Sequence, residues 1–335
     1  MPVGYFDSIE SCKNAIRERY DIIANDEDTA QKLADNWNGI LNKPQELQFI
    51  EGAIPVVLCS NDNWAQFLAV SLQSLLDNSN PKRTYHFIVF ERGFSQQVKE
   101  YLSNQVVKFK HCKIDFINMA KIYTEEIKLT SPINWSIDIF SRLFIPWLLD
   151  KYPKVVYLDI DTLVKNDIVK LYDENINDFC IGASRDIDII RERIEFNIYD
   201  YLFNRPVILF LDNSSSYFNT GVMIFNTDKF RKKINMEDLI KFSIYFTNRY
   251  NKLLPDQDIL NIIIQNDYFK IPNEWNHGWP SPKFKPLDPN VKLIHFFTMT
   301  KPWQNDKILN YYPAAIEYKN YAKNVPLYAK RMLEK

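Results

Sequence analysis

The segment Val155-Val156-Tyr157-Leu158-Asp159-Ile160-Asp161-Thr162-Leu163-Val164 constrains this chain more than any other. Four consecutive apolar residues predict a central strand buried on both faces, and two carboxylates fall where that strand ends. In open α/β sheets ligands gather at the carboxyl ends of the strands. Two carboxylates two positions apart there can both reach a divalent ion, directly or through water. Read alone, the pair fits equally well a turn that Asp159 caps while Asp161 is solvated.

The preceding sequence supplies the sheet that such a strand needs. Ile54–Ser60 (IPVVLCS) is a short buried-strand pattern, followed by Asn61-Asp62-Asn63 and then Trp64, Phe67, Leu68, Leu72, Leu75 and Leu76 at helical spacing. Asn63 with Gln66 three positions on resembles a capping box, which would start the helix directly after the strand. A second strand is predicted over Tyr85–Phe90, a helix from Ser95 to about Asn104, and a third strand near Lys113–Ile117. Alternating strands and helices predict an α/β fold, a largely parallel sheet with helices on both faces.

Composition excludes several classes. The 335 residues carry 41 Lys+Arg against 42 Asp+Glu, a net charge of −1, so no nucleic-acid footprint is expected. Apolar residues at 46% and charged residues at 25% match a globular enzyme. The chain has only seven glycines among many Asn, Lys, Ile and Tyr residues, which suggests A/T-rich codons and weakens any glycine-loop hypothesis. Neither a signal-peptide core nor an apolar run of the ~18 residues that a membrane span needs is found, so the expectation is a cytoplasmic protein. Cys12, Cys59, Cys112 and Cys180 stand far apart, predicting reduced, mostly buried thiols. His111-Cys112 alone falls short of the ligand count of a zinc site.

Four apolar residues followed by D-x-D-T also open haloacid-dehalogenase-like phosphatases, where the first Asp, here Asp159, is the nucleophile. Those enzymes place the motif near the chain start and need a later acidic pair; here it follows 158 residues and no such pair is evident. The downstream strings favour another family. They are Tyr217-Phe218-Asn219-Thr220-Gly221-Val222-Met223-Ile224-Phe225-Asn226, then Leu254-Pro255-Asp256-Gln257-Asp258-Ile259-Leu260-Asn261, then Ile294-His295-Phe296-Phe297-Thr298-Met299-Thr300-Lys301-Pro302-Trp303. With YLDIDTLV, and in this order, they resemble glycosyltransferase family 8 from about Ile54 to Trp303.

That resemblance implies a GT-A fold, Rossmann-like with a mixed central sheet, over 51–303, flanked by a helical extension at 1–50 and a helical tail at 304–335. It implies a UDP-sugar donor, manganese (with magnesium as the alternative), and transfer of glucose or galactose with retention of anomeric configuration. The acceptor would be a glycan, lipid-linked or protein-linked. Asp159, Asp161 and His295 become the metal ligands; two carboxylates and an imidazole suit manganese, although His295 standing alone would read as a hydrogen-bonded core residue. Lys301 would contact the diphosphate as a point charge, a surface lysine being its alternative. Asn61, Asp62, Asn63 and Trp64 would hold the nucleoside, the indole stacking on uracil. Trp64 could equally be the first core residue of its helix.

Arg142 lies in an apolar helical pattern and needs an anionic partner: the donor's diphosphate by resemblance, or a structural carboxylate. Ile160, Asp186, Asn219, Thr220, Asp256 and Gln257 complete the donor site. Gln257 falls nearest the anomeric carbon, and because an amide is a poor nucleophile the favoured chemistry is same-face substitution. Asp258 is the candidate nucleophile for double displacement, or the cap of a helix over Ile259–Gln265. Thr298 stands where the family has glycine, so either the loop is displaced or its hydroxyl donates. A catalytically silent nucleotide-sugar-binding protein is the rival from another class. The tail, with Tyr311, Tyr312, Tyr318, Tyr321 and Tyr328 among Lys307, Lys319, Lys323, Lys330, Arg331 and Lys335, would either lie on the inner membrane leaflet or pack back on the domain.

Overall fold

The structure, a computed structural model, describes residues 47–121, 137–186, 207, 211, 213–249, 254–278, 287–298, 300–304 and 307–333. The extension expected at 1–50 lies outside the described residues up to 46, with Cys12, and so do Met299, Asp306, Glu334 and Lys335.

Strand β1 (Ile54–Asn61) leads through a 3₁₀ turn (Asp62–Trp64) into helix α1 (Ala65–Asp77), then β2 (Tyr85–Arg92), α2 (Gln96–Val106) and β3 (Cys112–Asn118). A 3₁₀ segment (Ile137–Phe144) runs into the short α3 (Ile145–Leu148), followed by β4 (Lys154–Leu158), β5 (Thr162–Val164), α4 (Val169–Tyr172) and β6 (Ile181–Arg185). Then come β7 (Phe218–Asn226), α5 (Thr227–Lys233), α6 (Met236–Arg249), α7 (Pro255–Ile264), β8 (Tyr268–Lys270), β9 (His277–Gly278) and β10 (Leu293–His295). The tail forms α8 (Pro313–Ala322) and the single turn α9 (Pro326–Tyr328).

The main sheet has the order β3-β2-β1-β4-β7-β6-β8. Its first four strands are parallel, β6 and β8 are parallel to each other, and β7 alone runs antiparallel, to both β4 and β6, so the sheet is largely parallel with one reversed strand. Period-2 alternation of apolar side chains fills both faces. Val56, Leu58, Val156, Leu158, Val222 and Ile224 meet α1, α2 and the tail on one side. Val57, Val155, Tyr157, Met223 and Phe225 meet α3, α5, α6 and α7 on the other. Each large apolar side chain fully buried this way contributes ~1.5–3 kcal/mol.

Two local expectations are corrected, and one left open is decided. Asn61, not Asn63, accepts the capping bond, from Asn63 N, while Gln66 Nε2 donates to Asn63 O; the 3₁₀ turn thus precedes the helix. Helix α7 begins at Pro255, since proline suits the first helical position, so Asp258 lies inside its first turn and caps nothing. The tail packs back: Ala315, Tyr318, Ala322, Val325, Leu327 and Tyr328 are buried in the same core as α1. Cys112 and Cys180 are buried free thiols and Cys59 is half-buried. His111 Nε2 is occupied by Ser79 Oγ at 2.7 Å, the packing role expected of it. Among the described residues no helix is long and apolar enough to cross a membrane.

Candidate active site

A three-stranded sheet, β5-β10-β9, sits beyond the end of β4 and assembles the site. Where β4 ends, Asp159 N donates to Gly221 O of β7 at 2.7 Å, which holds the chain against the main sheet. Thr162 then closes the D-x-D turn, its hydroxyl donating to Asp159 O at 2.7 Å and meeting Ser71 Oγ of α1 at 2.8 Å. Antiparallel pairing of β5 with β10 sets Thr162 opposite His295, and Phe296 N donates to Asp161 O at 2.9 Å. Sheet pairing therefore carries His295 to the two aspartates from 134 positions downstream of Asp161.

Asp159, Asp161 and His295 each offer a ligand atom, all within 4.8 Å of one another. His295 Nε2 lies 3.3 Å from Asp161 Oδ1 and 3.6 Å from Asp159 Oδ2. That nitrogen is buried and makes no hydrogen bond, while Nδ1 meets Asn276 Oδ1 at 2.8 Å. Gly221 lets the imidazole and the Asp159 carboxylate approach β7 closely: a Cβ there would overlap His295 Cε1 and stand 2.7 Å from both His295 Nε2 and Asp159 Oδ2. An orphaned imidazole nitrogen facing two carboxylates across a glycine-made cradle fits a divalent ion.

Burial opposes charge on all three groups, and their neighbours reverse it. Lys301 and His295 hold the Asp161 carboxyl far below the usual range, and Arg142 lowers that of Asp159. Burial depresses the His295 imidazole, but Asp161 and Asp159 lift it to about 9. Asp256 goes the other way, raised by burial and by Asp159 against the pull of Arg142.

Arg142 is buried and fully engaged. Its Nη2 meets Asp159 Oδ1 at 2.8 Å, Nε meets Asp256 Oδ2 at 3.0 Å, and Nη1 donates to Thr220 O at 2.8 Å, with Tyr157 stacked 4.6 Å from the guanidinium carbon. Of the two partners expected for it, the structure shows the carboxylates. Asp159 Oδ1 also accepts from Tyr157 Oη at 2.6 Å. That oxygen is thus held twice, and the attack that the phosphatase alternative requires is left to Oδ2, which faces His295.

Beside the metal cradle runs a buried amide cluster. Asn219 Oδ1 accepts from Gly221 N at 2.9 Å and from Asn276 Nδ2 at 3.0 Å. Gln257 Oε1 accepts from Thr220 N at 3.1 Å, while its Nε2 donates to Asp186 Oδ2 and Tyr217 Oη, both at 3.1 Å. Asp258 is completely buried and accepts from Tyr217 Oη. Enclosure under that phenol disfavours the carboxylate as a nucleophile.

At the end of β1, Trp64 is 41% exposed, not a core residue, and borders an aromatic group with Phe67 and Trp303, whose rings stack 4.0 Å apart. Asn61 Nδ2 donates to Asp138 at 2.7 Å, and Asp62 accepts from Ser95 N at 3.0 Å and from Arg331 Nη2 at 2.8 Å. Asn63 is exposed in the turn between them, and Ile160 packs on the core. Lys301 Nζ meets Asp161 Oδ2 and Phe296 O, both at 2.6 Å, so it does not stand free at the surface. The Thr298 hydroxyl donates to Thr300 O at 3.1 Å and not into the cradle.

The structure thus brings Asp159, Asp161, His295, Lys301, Arg142, Asp186, Asn219, Thr220, Asp256 and Gln257 together, with Asn61–Trp64 along the neighbouring strand end. Sequence reasoning missed Gly221, Asn276, Tyr157 and Arg331. Gly221 carried a signal, a rare glycine inside a strand pattern, where glycine marks close approach of another group. Asn276 carried none.

A model of the family described as "Glycosyl transferase family 8" matches residues 55–307. The chain is 26% identical over 283 residues to general stress protein A of Bacillus subtilis, covering 80% of this chain and 93% of that one. It is 24% identical over 290 residues to lipopolysaccharide 1,2-glucosyltransferase of Escherichia coli K12, covering 81% of this chain and 80% of that one. Galactosyltransferase LgtC, solved with donor and acceptor sugar analogues, superposes with a TM-score of 0.61 at 24% identity, covering 81% of this chain and 96% of that one. The bifunctional glycosyltransferase WbbM superposes with a TM-score of 0.68 at 22% identity over 86% of this chain, which spans 53% of that protein. These likenesses show a GT-A fold.

Proposed function

This chain belongs to glycosyl transferase family 8 and is a glycosyltransferase, and on that premise we propose that it is a metal-dependent, retaining hexosyltransferase. It takes glucose or galactose from a UDP-sugar and passes it to a glycan, lipid-linked or protein-linked acceptor, in bacterial surface polysaccharide or glycoprotein synthesis. The observation that carries the metal dependence is the convergence of Asp159, Asp161 and the orphaned His295 Nε2 across the Gly221 cradle. Manganese held there, or magnesium in its place, supplies Lewis-acid stabilisation to the diphosphate as negative charge develops on it.

The chain's own residues do the rest. Lys301, beside Asp161, presents a second positive charge to the diphosphate. Trp64, exposed at the strand end, stacks on the base. Asp186, Asn219, Asp256 and Gln257 bind sugar hydroxyls, each unmatched hydroxyl costing ~1–3 kcal/mol. Gln257 Oε1 already accepts from Thr220 N, and this supports same-face substitution, in which the leaving diphosphate helps to take the acceptor proton, over attack by the amide. The site of action is cytoplasmic in this proposal. Tail residues Lys323, directly after α8, and Lys330, two positions after α9, are exposed and are the cations proposed to face an anionic leaflet.

The test is UDP release from UDP-glucose, UDP-galactose and UDP-N-acetylglucosamine, with manganese or with chelator, for the intact protein, Asp159→Ala and Asp161→Ala. Metal-dependent release from one donor, lost in both variants, is the expected result. Donor binding without any release, with every acceptor class present, would make the protein a nucleotide-sugar-binding protein instead.

A further inference from the structure

Backbone N–H groups can only donate, so the side-chain atom of Asn219 that faces Gly221 N at 2.9 Å is its oxygen. The same oxygen stands 3.0 Å from Asn276, whose facing atom must therefore be the NH₂ nitrogen. That choice turns the Asn276 oxygen toward His295 Nδ1, 2.8 Å away, and an oxygen there requires Nδ1 to carry a proton. Nε2 is then the nitrogen that faces Asp159 and Asp161 and can ligate an ion held between them. Each step is forced by the one before, and the start is a backbone N–H of β7, which can only donate.

We propose that Asn276 is a positioning residue: a hydrogen-bond chain that converges on Asn219 Oδ1, from Gly221 N–H on one side and from His295 Nδ1–H through the Asn276 amide on the other, fixes the imidazole in its metal-binding orientation. The chain also joins that orientation to the sugar-facing amides. Asn219 Nδ2 lies 3.3 Å from Gln257 Oε1 and 3.4 Å from Asp186 Oδ2. A donor sugar that engages Asp186 and Gln257 thus acts on the same rigid cluster that aims His295. The inference rests on the metal reading of the site, and concerns a residue whose own side chain touches neither metal nor substrate. Partners in this position around metal-bound histidines typically change metal affinity by 10–100-fold.

The experiment uses the full chain labelled with [¹⁵N]histidine, which contains four histidines; the His295 signals are those lost in His295→Ala. An exchange-protected Nδ1–H is expected in the intact protein, with and without magnesium, and is expected to be lost in Asn276→Leu. Manganese affinity, read from the free-ion electron paramagnetic resonance signal, should fall about 10–100-fold in Asn276→Leu. Asn276→Asp keeps an acceptor for Nδ1–H and should retain manganese affinity within about threefold. It loses the donor to Asn219, so its donor-sugar KM should rise instead. A destabilised but purely structural variant would not divide its effects in this way, and thermal melts of both variants control for folding. An unprotonated Nδ1 in the intact protein, or unchanged manganese affinity in Asn276→Leu, overturns the proposal. Failure of the metal reading has a different signature: Nδ1–H present and Asn276-dependent, with manganese binding indifferent to His295→Ala.

Discussion

Substituting Gly221 with alanine adds one methyl group at the place where the site can least accept it. The new Cβ would overlap His295 Cε1 and lie 2.7 Å from Asp159 Oδ2, where ordinary contact begins near 3.4 Å, so the carboxylate must retreat by at least about 0.7 Å and the imidazole by more. Relief by the backbone is limited, because Gly221 O accepts from Asp159 N and the next residues, Val222–Asn226, pair with β4. Asp159 cannot swing freely either, being held by Arg142 and Tyr157. Overpacking of this kind costs ~1–3 kcal/mol, and a displacement near 1 Å at reacting groups costs ~100-fold in rate. Gly221→Ala should therefore fold with a lowered melting temperature, bind manganese at least about tenfold more weakly, and turn over the donor about 100-fold more slowly. Gly182→Ala is the control: its nearest neighbours are methyl-bearing side chains at 3.4–3.5 Å, and it should retain near-normal turnover. Isothermal titration with manganese and a UDP-release assay on both variants make the comparison. Turnover and manganese affinity of Gly221→Ala within threefold of the intact protein, by ~0.65 kcal/mol at most, would refute the cradle.

Three other outcomes follow from the same geometry. His295, raised to about 9 without metal, must release its proton to ligate, so manganese affinity should climb about tenfold per pH unit from 6 to 9; a plateau above pH 7, seen by titration calorimetry at each pH, would contradict this. Arg142→Met leaves Asp159 and Asp256 buried without their shared cation and should cost ~3–5 kcal/mol in urea unfolding at neutral pH. Arg142→Lys should recover part of that loss, since an ammonium can satisfy one carboxylate but not the fork. Trp64→Ala, at a half-exposed ring, should leave the melting temperature nearly unchanged yet weaken UDP-sugar binding about 5–150-fold, as loss of base stacking worth ~1–3 kcal/mol implies; equal binding by fluorescence titration would remove the indole from the nucleoside site.

Much of the fold was legible because period-2 and period-3.6 patterns report burial, and burial here follows the sheet. Val155–Leu158 read as a central strand and is one, and the order of the downstream motifs predicted that Asp186, Asn219, Gln257 and His295 converge. What stayed hidden was pairing between distant strands. Nothing in the sequence near Leu293–His295 states that it runs antiparallel to Thr162–Val164, yet that register alone brings His295 to Asp161. Asn276 was invisible for the same reason, since its role depends on a third strand, β9, beside β10. The direction of β7 was also hidden, because an apolar strand reads the same whichever way its neighbour runs. Asp258 misled for a local reason: proline at 255 moved the helix start, and with it every inference about which side chain caps and which is enclosed.

Charge arithmetic among the described residues assigns the cations of the site different work. Asp159, Asp161, Asp186 and Asp256 bring four carboxylates, and Arg142 and Lys301 bring two permanent positive charges. Arg142 spends its guanidinium on Asp159 and Asp256 at 2.8 and 3.0 Å, and its remaining donors on Thr220 and the backbone, so it is a keystone of the cradle rather than a free anion receptor. Lys301 differs: its single ammonium meets one carboxylate oxygen and one carbonyl on a flexible stem, and it retains the reach to follow a diphosphate. A divalent ion between Asp159, Asp161 and His295 would displace the need for an imidazolium there and balance the carboxylates. Lys301 then becomes the protein charge most available to the leaving group. Lys301→Ala should therefore slow turnover more than it weakens manganese binding, whereas Arg142→Met should damage both together with stability.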